Sequence, residues 1–402
     1  MSLQQEQTTK SISKPLNWLL VFGVICIAAN LRAPLTSVGP LVASIRDDMG
    51  ISNTLAGMIT TLPLLAFAIL SPFAPTLARR FGIESVLLGA MGLLTIGIFL
   101  RSVSGIVTLF AGTALLGLGI SVCNVLLPSL IKREFPDRIG LMTGMYSVGM
   151  NVCGAIASGI SVPLSRHLGL GWKGALGCWA ILAFFAILVW LPQMRNRHRQ
   201  TTTKAGSRQK GNLWRSPLAW QVTLFMGLQS MIFYVIITWL PEILRERGIS
   251  SDIAGWLLFL MQVALLPVTF IVPIIAGRMK SQHLLVLITG GLFFVGISGL
   301  CFGGSSWIPL WAIFLGMGGG CSFSLAMMFF GLRTHTSHEA AELSGMAQSF
   351  GYLLAAVGPI LFGALHDATH SWTLPLIALM VVSVLILLFG LGAARDRYVG
   401  AK

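Results

Sequence analysis

Apolar residues come in twelve long runs along this chain, at roughly 18–45, 54–78, 85–100, 106–131, 141–165, 171–192, 217–241, 253–277, 283–302, 307–332, 344–365 and 372–394. A helix rising 1.5 Å per residue crosses a bilayer with about 20 apolar residues, so each run predicts a spanning helix. Polar residues gather in the short stretches between runs. Tryptophans fall near run ends (Trp18, Trp172, Trp190, Trp239, Trp256, Trp307, Trp372), where an interfacial belt of amphipathic rings belongs. The pattern predicts an all-α membrane protein with twelve transmembrane helices.

Composition agrees. Hydrophobic residues make up 55% of the chain and charged ones only 10%, against about 25% charged in a soluble domain; mean hydropathy is +0.83. The first apolar run is too long for a secretory leader and lacks a clear cleavage site, so it is expected to be a retained helix. A net charge of +14 would suit a nucleic-acid binder, but the charges form short clusters between apolar runs, and no nucleic-acid partner is expected. The six cysteines are scattered in or beside the runs without metal-type spacing and read as small buried hydrophobes. No cofactor or metal is expected; His335, His338, Glu339 and Glu342 read as a solvated loop cluster.

Charge placement sets the orientation. Of 27 Lys and Arg residues, Arg32 lies within a run, and Arg46, Arg101, Arg166, Lys173, Arg245 and Arg247 fall in one set of connections. The rest fall on the side of the N-terminus. The excess predicts that both termini and the central loop face the cytoplasm, in a multi-pass cytoplasmic-membrane protein. That loop, 193–216, carries seven basic residues and no acid, and reads as a solvated linker between halves 1–192 and 217–402. An internal repeat supports the division: 50–57 (GISNTLAG) aligns with 248–255 (GISSDIAG) at an offset of 198, which also carries Arg80 onto Arg278. The same offset takes Arg32 onto Ser230, so only one half supplies a buried charge.

Arg32 stands near the middle of the first run, too deep to snorkel easily to either surface. Burial there costs about 2.5–3.5 kcal/mol on insertion scales. Pro34 has no N–H, which frees the carbonyl of Asn30. Two readings are open: Arg32 braces the bundle through carbonyls and amides, or it meets a solute. Intramembrane ionisable residues are functional candidates by default. Amides and tyrosines away from span ends (Asn30, Asn124, Asn151, Gln229, Gln262, Gln348, Tyr146, Tyr234, Tyr352) occur on spans 1, 4, 5, 7, 8 and 11 and never on spans 3, 6, 9 or 12. Amides avoid lipid, so those four spans are expected at the periphery and the others around a polar path. Asn124 and Pro128 repeat the Asn-x-x-x-Pro spacing of Asn30 and Pro34. No Asp, Glu or His lies mid-span, so no proton relay is expected within the membrane, and no phosphate-binding loop for ATP is present.

These residues resemble the cyanate-porter group of the major facilitator superfamily. The resemblance covers essentially the whole chain and is carried by 30–34 with 36–40 in span 1, 119–132 in span 4, 216–241 in span 7 and 343–359 in span 11. In the superfamily's loop 2–3 signature, Pro75 replaces the first Gly and Arg79 the Asp, while Arg80 and Gly82 are kept. The resemblance implies two pseudo-symmetric six-helix halves (the major facilitator fold), a midplane site between them, and transport by alternating access. The expected site comprises Arg32, Asn30, Thr36, Asn124, Asn151, Gln229, Tyr234, Gln262, Gln348 and Tyr352, with Pro34, Pro128, Arg80 and Arg278 serving conformational change. The expected partners are membrane lipid and a small solute that is anionic or bears a nitro group; the protein is expected to work as a monomer and not as an enzyme. The alternatives are a membrane sensor without net transport and an exporter of neutral heterocyclic toxicants.

Overall fold

Hydrocarbon offers a backbone no hydrogen-bond partner, so each apolar run closes its bonds within a helix. The computed structural model describes residues 18–51, 53–196 and 213–399. The N-terminal Lys10 and Lys14, most of the basic linker and Lys402 lie outside the described residues. Among the described residues, twelve helical spans are long and apolar enough to cross a membrane: Trp18–Leu41, Met58–Phe81, Ile83–Ser102, Ile106–Glu134, Pro136–Arg166, Gly171–Met194, Pro217–Glu246, Ile253–Arg278, His283–Phe302, Ser305–Leu332, Ser337–His366 and Thr373–Ala393. They are spans 1–12 below. Proline shapes several ends. The expected run 18–45 stays α-helical only through Thr36, because Pro40 has no N–H to continue it. A 3-10 turn at Gly39–Leu41 then leads into a separate short helix, Val42–Met49. Pro72 and Pro75 likewise break span 2 into helices ending at Leu70 and Phe81.

The packing pattern repeats. Span 1 packs on spans 5 and 6, span 2 on span 4, and span 3 on spans 4 and 6. Adding six to each number gives the second set: 7 on 11 and 12, 8 on 10, 9 on 10 and 12. The sequence repeat is realised as one turn used twice, with Gly50 at φ 61° and Gly248 at φ 79°, a left-handed conformation that glycine adopts without steric cost. Spans 1–6 meet spans 7–12 chiefly where span 5 packs on span 8 and span 2 on span 11. At the first of these contacts a Cβ on Gly140 would lie 2.2 Å from the Pro273 carbonyl oxygen, and at the second one on Gly345 would lie 2.7 Å from that of Ser71. Backbone touches backbone there, and the small residue is what permits it.

Three charged residues that the sequence placed at span ends are buried instead. Arg101 is 0% exposed in the last turn of span 3 and donates from Nη1 to the Pro34 carbonyl at 2.7 Å. Its Nε and Nη2 have no hydrogen-bond partner among the described residues. Glu84 is 3% exposed and pairs with Arg133 at 2.5 Å. Arg333, 2% exposed, donates to the carbonyls of Ala393 at 2.8 Å and Ala394 at 3.1 Å and to Gln282 Oε1. Helix ends carry unsatisfied carbonyls, and buried guanidinium groups supply the donors. Burial lowers the Arg333 pKa, and Asp396 nearby raises it.

Gly140→Val is expected to wedge span 5 off span 8 and to cost about 1–3 kcal/mol, the usual range for overpacking. Thermal unfolding in detergent should show a lower midpoint for it than for Gly159→Val, at a position where an added Cβ meets nothing within 4 Å. Equal midpoints would contradict the close-contact reading.

Candidate functional site

A cavity lies between spans 1–6 and spans 7–12. Spans 1, 2, 4, 5, 7, 8, 10 and 11 line it, and no described residue of spans 3, 6, 9 or 12 does. Six of those eight spans carry a mid-span amide, while spans 2 and 10 line the cavity with neither amide nor tyrosine. Arg32 projects into it from span 1.

Span 5 holds Arg32 in place. Arg32 Nη1 donates to Asn151 Oδ1. Asn151 Nδ2 donates in turn to the Ser147 carbonyl at 2.8 Å, and since a carbonyl only accepts, the amide is fixed with its oxygen toward the guanidinium. The Arg32 stem lies along Gly154, where a Cβ would come within 3.1 Å of Arg32 Cγ. One turn further along, Thr36 Oγ1 sits 2.7 Å from the Gly154 carbonyl oxygen, tying the two helices beside the arginine. Across the cavity, the Phe233 ring of span 7 faces the guanidinium at 5.0 Å from Cζ, within the range of cation–π attraction. Among the described residues no carboxylate lies within 4.0 Å of Arg32, and its Nε and Nη2 make no hydrogen bond to them. The geometry leaves a charged, bidentate donor edge turned to the cavity.

Of the expected site residues, Arg32, Asn124, Asn151, Gln229, Tyr234 and Tyr352 line the cavity. Asn30, Thr36, Gln262 and Gln348 do not. Asn30 stands 200° around the helix from Arg32 and donates instead to the Cys26 carbonyl at 2.8 Å and to Leu182 of span 6 at 3.3 Å. Gln262 is half-buried, one position off the stripe of Met261 and Leu265 that points inward. Gln348 lies beneath the cavity, donating to the Asn124 carbonyl at 3.1 Å and to Ser344 Oγ at 2.8 Å. Pro128 frees that Asn124 carbonyl, and an amide of span 11 satisfies it. Gln229 is engaged by Ser230 at 2.7 Å and Ser322 at 3.3 Å. The aromatic wall, Phe67 in edge contact with Tyr352 at 4.9 Å together with Phe233 and Phe323, was not anticipated. Helical register could have found Phe233, which lies one turn beyond Gln229 and Ser230.

Several of the hydrogen bonds joining the two sets of spans lie at one end, where span 1 begins and span 12 finishes. Ser129 Oγ donates to the Ser337 carbonyl at 2.6 Å. Lys132 Nζ donates to the Gly331 carbonyl at 2.6 Å, to Thr334 Oγ1 at 2.9 Å and to the Thr334 carbonyl. Further into the bundle, Ser349 Oγ donates to the Ala68 carbonyl at 2.5 Å, beside the bond from Gln348 to Asn124. Arg80 and Arg278 are exposed at this end, Arg80 against the Phe81 ring at 5.2 Å. Lys132, which the sequence reading left without a role, makes the junction.

Residues 20–359 match the Major Facilitator Superfamily. YycB, an uncharacterized transporter of Bacillus subtilis (strain 168), is 49% identical over 383 residues, spanning 95% of this chain and 94% of the relative. A 2-nitroimidazole transporter of Escherichia coli (strain K12) is 43% identical over 379 residues, spanning 94% of this chain and 96% of its own. Among solved structures, the proton:xylose symporter XylE bound to 6-bromo-6-deoxy-D-glucose resembles this chain with a TM-score of 0.78 at 13% identity, over 95% of this chain and 98% of that one. At such identity the likeness speaks for the fold alone. The family and the relatives are transporters, not enzymes.

Asn151→Ala leaves Arg32 without its side-chain acceptor and is expected to lower stability by about 1–3 kcal/mol. Asn151→Asp keeps an acceptor and adds an ion pair, so its thermal midpoint in detergent should exceed that of Asn151→Ala. The reverse order would show that Asn151 does not position the arginine.

Proposed function

The chain belongs to the Major Facilitator Superfamily, and on that footing we propose that it moves a small anionic or nitro-bearing solute by alternating access, binding it at Arg32. The observation that carries the reading is the unneutralised guanidinium edge facing a cavity between two packing units. A cation removed from water gains most from a ligand that supplies both the missing charge and two parallel acceptor atoms. Carboxylate and nitro groups have that geometry. The 43% identity to a 2-nitroimidazole transporter supports the same head group.

The transport cycle follows from the same architecture. The repeating units are 1–192 and 217–402, with 193–216 connecting them, and each moves as a body about the central cavity. The junction around Lys132 holds the end carrying the termini closed, so this state receives solute from the opposite side. Lys and Arg are concentrated at the closed end, which is therefore cytoplasmic. Pro34 and Pro128 let spans 1 and 4 bend as the units rock. The protein acts as a monomer in the lipid of the cytoplasmic membrane, without a nucleic-acid partner.

Arg32→Lys keeps the charge but loses the planar fork, so solute affinity is expected to fall about tenfold while the protein still folds. Arg32→Gln should abolish binding of benzoate and spare part of the binding of neutral 2-nitroimidazole. Both are checked by binding and by flux into proteoliposomes, after confirming that each variant is folded. Benzoate uptake at the wild-type rate by folded Arg32→Gln would reduce the residue to a brace. Ligand binding without any flux in the wild type would favour a sensor.

Lys132→Met removes charge-assisted bonds, each worth about 1.5–3 kcal/mol. The open form at this end should gain at least about tenfold in population. Spin labels replacing Arg138 and His335 would report a longer distance in the variant, and an unchanged distribution would dismiss the junction as a latch.

A further inference from the structure

Beside the Arg32 cavity lies a smaller recess, walled entirely by spans 7–10. Its own lining is Ile232 and Ile236 of span 7, Met261 of span 8, Phe293 of span 9, and Leu315 and Gly316 of span 10. Phe233, Leu265 and Gly319 belong to both linings. Phe233 is thus a partition, sharing one space with the Arg32 guanidinium and the other with apolar side chains.

The two glycines at this wall differ in kind. A Cβ on Gly316 would stand 2.0 Å from the Met261 carbonyl oxygen, so close helix packing demands glycine there. A Cβ on Gly319 would stand 3.8 Å from Leu265 Cδ1 and 4.0 Å from Phe233 Cδ2, ordinary contact distances. Packing does not require glycine at 319. Its missing side chain instead leaves a gap at the junction of the two spaces. The recess is apolar, with free room for little more than one water-sized group. A void of that kind stays dry and forfeits dispersion contacts on its walls. An apolar substituent entering it recovers them.

We infer that the recess is an apolar subsite and that the solute is amphiphilic, with a compact anionic or nitro head on Arg32 and a methyl-sized apolar substituent behind Phe233. The inference rests on the proposed binding of the head group at Arg32 and adds the class of substituent that the site selects. Phe233 and Gly319 are then specificity-determining residues, one dividing the compartments and the other keeping the passage open.

The test compares homologous probes on the full-length protein in detergent. Benzoate is set against 2-, 3- and 4-methylbenzoate, and 2-nitroimidazole against its ring-methylated homologue, with affinity read by equilibrium dialysis. In the wild type at least one methylated homologue should bind about fourfold tighter than its parent, the gain of burying one methyl group. Gly319→Ala fills the junction, and the ratio of methylated to parent affinity should fall to about one. Ile236→Phe fills the recess from another wall and should do the same if Gly319→Ala fails to fold. Phe233→Ala joins the spaces and should extend the gain to ethyl and propyl homologues. A wild-type ratio of one for every probe, or a ratio that survives in the filled variants, overturns the subsite. Parents that bind and lose affinity in Arg32→Gln while the ratio stays at one would sink the subsite alone. Parents that do not bind the wild type at all would sink the head-group reading and the subsite with it.

Discussion

A polar group inside a bilayer must find its partner within the protein, and most of this structure follows from that constraint. Helices satisfy their own backbones until proline interrupts them. The carbonyl of Asn124, freed by Pro128, takes a hydrogen bond from Gln348 of span 11. The carbonyl of Pro34, in the last turn of its helix, takes one from the buried Arg101. Each of these free carbonyls becomes a joint to another helix. Arg32 is satisfied only in part, through Asn151, and the remainder of its hydrogen-bonding edge is what makes the cavity a candidate site.

Close approach serves the same end by other means. Where spans 5 and 8 cross, Gly140 meets the Pro273 carbonyl so closely that no side chain fits. Where spans 4 and 10 converge, Lys132 supplies three donors to the last carbonyls and a hydroxyl of the neighbouring helix end. These contacts need little buried apolar area. Helix–helix association in lipid rests on van der Waals packing and hydrogen bonds rather than on hydrophobic burial. The signature Asp of loop 2–3 is replaced by Arg79 in this chain, and the lysine of span 4 joins the two sets of spans without it.

The cavity combines opposed chemistries. One wall presents a cation, amides and tyrosines, while another presents Phe233, Leu265 and the apolar recess behind them. Aromatic rings bridge the two, because a ring face tolerates a guanidinium and a ring edge tolerates a methyl group. A head group alone would leave the second wall unused.

What the sequence determined by itself was local. Run length set the number of spans, and mid-span amides marked six of the eight that line the cavity, spans 2 and 10 lining it with neither amide nor tyrosine. The position of Arg32 in its run placed a charge at mid-span depth whatever the fold around it. Only the tertiary structure decided how each helix is rotated about its axis. That rotation sent Asn30 toward span 6 and Asn151 toward Arg32, although both are mid-span asparagines. It also turned Arg101 from a span-end charge into a fully buried donor, and placed Phe233 between two compartments. In a helix apolar all around, hydrophobicity gives no preferred face. The interhelical contacts, a backbone oxygen against a glycine or a lysine against a helix end, choose the face instead.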